Sequence, residues 1–172
     1  MPKGAHCMNT LIIYDSKFGN TEKIAQAIAS TLGEHGHVVH LVQAEKADAF
    51  NLVNATDIEL LVIGGPTQIH GVSPAIKALL NIIPPHALRG LPTVCFDTRY
   101  DSARWISGSA GYRMGQQLVD KGAYVVTQPE SFFVGEAEGP LQPGELNRAI
   151  EWIEGIVARL TVPDKNISQV LD

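Results

Sequence analysis

Apolar positions along the chain alternate between short runs and longer stretches in which they recur every three or four residues. The short runs are typical of strands buried on both faces of a sheet, and the longer stretches are typical of helices with one apolar face. The pattern predicts five strands, at residues 10–14, 37–42, 59–64, 92–96 and 123–127. It predicts helices at residues 21–35, 73–83, 109–121 and 143–160, and a weaker short helix within 44–56.

The first helix shows the signals behind these bounds. Ile24, Ile28 and Leu32 would share one helical face, because residues three and four apart are neighbours on a helix. Gly36 follows the last apolar position, and glycine commonly ends a helix. Strands and helices that alternate along 172 residues predict one three-layer, doubly wound α/β domain with a five-stranded parallel sheet, since parallel strands need crossover connections and both sheet faces must be covered.

This domain is expected to span residues 8–161, because no linker, repeat or low-complexity segment interrupts it. Residues 1–7 are expected to be a leader or an expression remnant, and the polar residues 162–172 a C-terminal tail. Cys7 and Cys95 show neither metal spacing nor a disulfide framework, which fits a reducing compartment. No apolar run resembles a signal peptide or a membrane span, so a cytoplasmic location is predicted.

Charge narrows the classes of function. Thirteen Lys and Arg against 18 Asp and Glu give a net charge of -5, which does not favour binding to nucleic acid phosphates. A small-molecule ligand is the better prediction. His35, His37 and His40 have a spacing that suggests a metal, but His37 and His40 would point to opposite faces of a strand, so no metal is predicted. A G-x-S-x-G elbow is absent from the sequence, which disfavours hydrolase chemistry.

The loop after the first strand, residues 15–21, leads directly into the first helix. Backbone N–H groups of such a turn and the positive end of the helix dipole can hold a phosphate dianion, and Ser16, Asn20 and Thr21 would add side-chain donors. The alternative is that Asn20 or Thr21 is only an N-cap and Gly19 only a turn residue. Neither G-x-G-x-x-G nor G-x-x-x-x-G-K-[ST] occurs, which disfavours dinucleotide-binding Rossmann domains and P-loop proteins.

This loop resembles the phosphate loop of flavodoxins, where the pattern hydroxyl-x-hydroxyl-Gly-x-Thr follows an apolar strand. The resemblance extends over nearly the whole chain, through residues 64–67, 96–99 and 130–134. It implies a stand-alone flavodoxin-like domain with strand order 2-1-3-4-5 that binds FMN noncovalently. The residues it assigns to FMN in this loop are Ser16, Lys17, Phe18, Gly19, Asn20 and Thr21.

The resemblance also assigns two later loops to the flavin ring. Tyr100 is expected to stack on the ring, with Trp105 as a substitute if its loop folds back. The alternative for Tyr100 is an aromatic residue that is merely exposed at the surface. The alternative for His70 is an imidazole that is merely solvated and does not contact the flavin. Residues 136–140 are expected to be a connector or a lid. The loop that flanks the reactive edge of the ring comprises Pro66, Thr67, Gln68, Ile69, His70 and Gly71, and the loop at its pyrimidine end comprises Asp97, Thr98, Arg99 and Tyr100.

The sequence departs from the flavodoxin pattern at informative positions. Phe18 stands where a hydroxyl is usual, so one phosphate contact is lost or replaced by backbone. Gln68, Ile69 and His70 occupy the loop that commonly carries a tryptophan in electron-carrier flavodoxins. Without that tryptophan, one face of the flavin ring would be open to a substrate. Arg99, with Arg104 close behind, would stabilise the anionic reduced flavin and make its potential less negative.

The function predicted from these features is that of an FMN-binding redox protein, with electron transfer of flavodoxin type to a redox partner protein. One alternative is an FMN-dependent quinone or NAD(P)H-linked reductase, acting on a small quinone-like acceptor. Another is a flavodoxin-fold binding or regulatory domain without flavin. No catalytic side chain is assigned, because the flavin itself carries the chemistry, and no nucleic acid or membrane partner is predicted.

Overall fold

A computed structural model describes residues 6–48, 52, 56–68 and 71–161. The strands are β1 (Asn9–Tyr14), β2 (Val38–Gln43), β3 (Leu60–Pro66), β4 (Pro92–Tyr100), β5 (Tyr124–Val125) and β6 (Glu130–Val134). The helices are α1 (Asn20–Glu34), α2 (Pro74–Ile82), α3 (Arg104–Ser107), α4 (Ala110–Asp120) and α5 (Glu145–Thr161), with a 3₁₀ turn at Ala44–Lys46. Residues 162–172 of the expected tail, residues 1–5 of the expected leader, and residues 49–51 and 53–55 of the weak helix within 44–56 lie outside the described residues.

The strands form one sheet of parallel strands in the order β2-β1-β3-β4-β5. This confirms the predicted doubly wound topology. The sheet order reverses between β1 and β3, so the chain leaves these neighbouring strands in opposite directions at their carboxyl ends. A crevice forms at such a point, and it is where open α/β sheets bind ligands.

Side chains that alternate along the central strands build two apolar cores, one on each sheet face. Ile13, Ile63 and Cys95 pack with residues of α2 and α4. Ile12 and Val62 pack on the other face with residues of α1 and α5. Because successive residues of a strand point to opposite faces, this division confirms the predicted three layers.

The edge of the sheet beside β4 differs from the prediction. The strand predicted at 123–127 contains only the two residues of β5, which pair with Pro92 and Thr93. Residues 130–134, expected only as a stretch before the last helix, form β6 and pair in parallel with Phe96–Tyr100. Two short strands, β5 and β6, thus pair with successive parts of the same edge of β4. Local apolar periodicity does not reveal this arrangement, because the choice of pairing partner depends on residues distant in the chain.

Gly64 leaves the space that the ring of Phe96 occupies against β3. A Cβ built on Gly64 would lie 2.0 Å from the ring of Phe96. That ring makes edge contacts with Phe132 and Trp152, at centroid distances of 5.9 and 6.2 Å. A glycine at position 64 is therefore required for this aromatic cluster to reach β3, next to the point where the chain turns towards the crevice.

His37, at the amino end of the sheet, makes folding stability depend on pH. Its Nδ1 accepts a hydrogen bond from the N–H of Met8 at 3.1 Å. Burial and the nearby His35 and His6 lower the pKa of His37 below 6.5, against the opposing effect of Glu59. The unfolded chain therefore binds the proton more readily, so this contribution to stability is present above about pH 6.5 and is lost as the pH falls through the lowered pKa.

We expect His37→Gln to reduce the loss of stability on acidification, measured by urea denaturation between about pH 7 and pH 5. His40→Gln is the matched control, because His40 is exposed on β2. If the stability of the parent and of His37→Gln fell in parallel across this interval, the assignment of this pH dependence to His37 would be wrong.

Candidate functional site

A cleft of about 270 Å³ lies at the carboxyl ends of β1, β3 and β4. All three predicted loops contribute to it, which places the predicted site at the crevice where the sheet order reverses. Gly19, Gly71 and Asp97 are described but do not line the cleft, and Ile69 and His70 lie outside the described residues. The lining residues are Ser16, Lys17, Phe18, Asn20, Thr21, Pro66, Thr67, Gln68, Thr98, Arg99, Tyr100, Val134 and Ala137.

Gly19 shapes the loop between β1 and α1. Its φ is +83°, a left-handed conformation that glycine adopts without steric cost, and it precedes the first helical residue. The Gly19 carbonyl accepts the N–H of Lys23 at 3.0 Å, while no side chain caps this helix end. The turn therefore directs N–H groups and the positive end of α1 towards the cleft, as anion binding requires.

Several polar side chains of this loop already have protein partners. Ser16 Oγ accepts the N–H of Glu22 at 3.3 Å. Asn20 Nδ2 donates to the main-chain carbonyl of Glu138 at 3.0 Å, and the buried Thr21 hydroxyl lies 2.8 Å from the Thr98 hydroxyl. Asn20 and Thr21 thus connect the loop to distant segments, in addition to lining the cleft.

The second predicted loop begins later than expected, because β3 continues through Pro66. Gln68 and Gly71 then exchange two backbone hydrogen bonds, at 2.9 and 2.8 Å. These bonds join the described residues on either side of Ile69 and His70, which lie outside the described part of the chain. Pro66, Thr67 and Gln68 form the described wall of the cleft on this side.

The prediction of a third loop at residues 97–100 is wrong, since these residues are the last four of β4. Strand alternation places Thr98 and Tyr100 on one face and Asp97 and Arg99 on the other. The Tyr100 side chain is 47% exposed at the cleft, which leaves its ring available for stacking. Trp105, the suggested substitute, lies in the short helix α3.

Asp97 is fully buried and joins β3, β4 and the amino end of α4. Its Oδ2 accepts from Ser109 Oγ at 2.7 Å, from the N–H of Gly111 at 2.9 Å and from Thr67 Oγ1 at 3.1 Å. A carboxylate at this position is stabilised by the helix dipole as well as by its donors. Asp97 therefore builds the wall behind the cleft, and its side chain is not placed to contact a ligand in it.

Arg99 is held in place by a dense set of hydrogen bonds. Its Nε donates to Ser131 Oγ at 3.0 Å, and one terminal nitrogen donates to Ser107 Oγ at 2.7 Å and to the Ser102 carbonyl at 2.6 Å. Its Nε also lies 3.9 Å from Asp97 Oδ1. The Arg99 guanidinium is thus held on the Asp97 face of β4, although Arg99 is among the residues that line the cleft. Arg104 is exposed, 6.0 Å from the Tyr112 ring centroid, and is not among the lining residues.

A hairpin at residues 134–141, part of which was expected to be a connector or a lid, forms a wall of the cleft. Val134 and Leu141 pair in antiparallel fashion, and the N–H of Gly135 donates to the Pro140 carbonyl at 3.0 Å. Val134 and Ala137 line the cleft, so this segment is more than a connector. In the sequence, Gly135 and Gly139 indicate a turn. The hydrogen bond from Asn20 to the Glu138 carbonyl, which the sequence does not reveal, places this turn beside the loop that follows β1.

A second cavity, of about 420 Å³, lies at the opposite end of the sheet and includes His6, His35 and His37. His40 is not part of it, and among the described residues no group of three His, Cys, Asp or Glu side chains could hold a metal ion.

Burial raises the pKa of Cys95 to about 12, so this thiol is unreactive. No helix in the described part of the chain is long and apolar enough to cross a membrane.

Comparison with known proteins places these features in context. The Flavodoxin family model matches residues 12–152. Oxidised flavodoxin 2 from Bacillus cereus superposes with a TM-score of 0.75 at 20% identity, over 88% of this chain and 99% of that chain. Rubredoxin oxygen:oxidoreductase from Desulfovibrio gigas gives 0.68 at 18% identity, over 92% of this chain and 37% of that chain. No curated protein sequence matches the chain.

The sheet order and the cleft define a doubly wound α/β domain with a ligand site at the carboxyl ends of its strands. The chain belongs to the flavodoxin family, since the family model covers most of its length. Membership confirms the predicted family and, with it, FMN as cofactor and electron transfer as function. The assignment of individual residues to FMN stays a prediction.

Proposed function

We propose that this chain holds FMN in the cleft between residues 16–21, the end of β3 and the end of β4, and exchanges electrons there with a redox partner protein. The turn at Gly19, which directs the amino end of α1 into a cleft that Tyr100 also lines, carries this proposal. Both cysteines in the described part of the chain are free, which supports the proposed cytoplasmic location.

The donor set of the cleft fits FMN. N–H groups at the start of α1, the Ser16 hydroxyl and the Lys17 ammonium suit a phosphate. The exposed Tyr100 ring suits stacking against a planar ring system, with Pro66, Thr67 and Gln68 on the neighbouring wall. When bound, FMN would supply one-electron and two-electron redox chemistry, and the protein groups would bind and orient it.

Two aromatic side chains at the cleft support a protein as the redox partner. Phe18 is 45% exposed and Tyr100 is 47% exposed. Exposed aromatic residues around a functional cleft suit contact with another protein surface, where aromatic residues are enriched. A partner docked on them would approach the cleft from its open side.

The purified protein is expected to retain FMN through gel filtration and to show the visible absorption bands of oxidised flavin. Stepwise reductive titration should then proceed in two separate one-electron steps, as transfer of single electrons requires. A protein that emerges colourless after incubation with FMN would contradict the proposed cofactor. Direct oxidation of a nicotinamide nucleotide in one two-electron step would instead favour the reductase.

A further inference from the structure

We propose that Lys17 binds the FMN phosphate by its charge, replacing the hydroxyl that Phe18 removes, and thereby sets the preference of the cleft for a phosphorylated flavin. This inference rests on the proposed function, because it concerns one end of the same ligand. It gives Lys17 the role of a specificity-determining residue.

The side-chain donors expected in the phosphate loop are neutral and partly engaged in contacts within the protein. Phe18 has no polar atom to offer. The Asn20 amide donates one of its two hydrogens to the carbonyl of Glu138, and the Thr21 hydroxyl shares a hydrogen bond with that of Thr98 in which either oxygen can donate. The Ser16 oxygen acts as the acceptor for Glu22 N–H, so its hydroxyl hydrogen is left to donate. Because these side chains are neutral, a cation in the loop would add positive potential for a dianion beyond that of the N–H groups of α1.

The charges around the cleft identify that source. Lys17 and Arg99 are the charged residues among the described lining residues, and no Asp or Glu is among them. Arg99 lies in β4, held by Ser131 and Ser107. Lys17 lies in the loop itself, and it forms no ion pair within the described part of the chain. Its ammonium is thus the cation that lines the cleft from the loop itself, since Lys23 in the first turn of α1 does not line the cleft.

The Phe18 ring lies beside the Lys17 ammonium. The Lys17 Nζ lies 5.1 Å from the centroid of the Phe18 ring, a distance at which a cation is attracted to an aromatic face. The ring can restrict where the ammonium moves and keep it beside the loop. The residue that removes a hydroxyl donor therefore also positions a stronger, charged one.

Affinities for FMN and riboflavin, measured by quenching of flavin fluorescence, test this proposal. Riboflavin has the same ring and ribityl chain without the phosphate. We expect Lys17→Gln to weaken FMN binding about tenfold at low salt, as the loss of a charge-assisted contact implies, and to leave riboflavin binding within about twofold. At about 1 M salt the effect on FMN should fall below about threefold, because the charges are then screened.

Three further variants make the test specific. Lys17→Arg should keep most of the FMN affinity, because the charge is kept. Lys23→Gln is the matched control, since Lys23 is exposed in the first turn of α1 and does not line the cleft. Phe18→Thr added to Lys17→Gln should recover FMN affinity by restoring the hydroxyl.

The possible failures are distinguishable. A parent protein that binds neither flavin would overturn the proposed function together with this inference. A parent that binds FMN normally, but whose Lys17→Gln variant is unchanged or loses riboflavin equally, would overturn the inference alone. Equal losses in Lys17→Gln and Lys23→Gln would show a general charge effect and would also overturn it.

Discussion

Gly19→Val is expected to reduce FMN affinity by about 100-fold, because the turn that directs the amino end of α1 into the cleft would open. The φ of Gly19 is +83°, and a β-branched residue is strongly disfavoured there. An added Cβ would meet no heavy atom within 4 Å, so the effect would come from the backbone and not from a clash. Fluorescence quenching of FMN measures the affinity.

Gly36→Val is a closely matched control for this backbone strain. Gly36 has a φ of +84°, and an added Cβ there also meets nothing within 4 Å, but it follows the opposite end of α1. Both variants should lose about 1–3 kcal/mol of unfolding free energy, whereas only Gly19→Val should lose FMN. Equal FMN affinity in the two variants would contradict the role given to this turn.

Thr21→Ala tests the same loop without backbone strain. The Thr21 hydroxyl lies 2.8 Å from that of Thr98, so its removal disconnects the loop from β4. A smaller loss of FMN affinity than in Gly19→Val is expected, because the turn itself remains. The order of the two effects can be read from the same binding measurements.

Asp97→Ala is expected to cause the largest loss of stability, about 3–5 kcal/mol of unfolding free energy, because a buried charge would be left without compensation. The Arg99 guanidinium, 3.9 Å away, would lose its nearest carboxylate. The Ser109 hydroxyl and the N–H of Gly111 would lose their acceptor, and the amino end of α4 would lose a negative charge.

Urea denaturation at neutral pH measures this effect, with the midpoint as the readout. Asp101→Ala is the control, since Asp101 is exposed just beyond β4, and substitutions of this kind usually change stability by less than about 0.5 kcal/mol. A loss below about 1 kcal/mol in Asp97→Ala would mean that Arg99 finds sufficient compensation in its other hydrogen bonds.

The sequence by itself determined the elements whose signals are local. Apolar runs and helical periodicity were sufficient for β1, α1, α2, α4 and α5, and Gly36 for the end of α1. The pattern at residues 16–21, together with residues 64–67, 96–99 and 130–134, was sufficient for the family, and the ligand site that it indicates stays a prediction. These features depend on residues a few positions apart, where propensity and periodicity act directly.

Only the tertiary structure decided the course of β4 and the partners of the site residues. Asp97 and Arg99 suggested a loop because polar residues rarely occupy buried strands, yet Asp97 Oδ2 and the Arg99 guanidinium are bound by groups distant in the chain, such as Thr67 and Ser131. Asn20 lines the cleft as expected for a residue near a phosphate, and its amide also donates to a carbonyl 118 residues away, a contact that the sequence does not reveal. A buried polar group is stable only where partners are supplied, and contacts between distant segments supply them here.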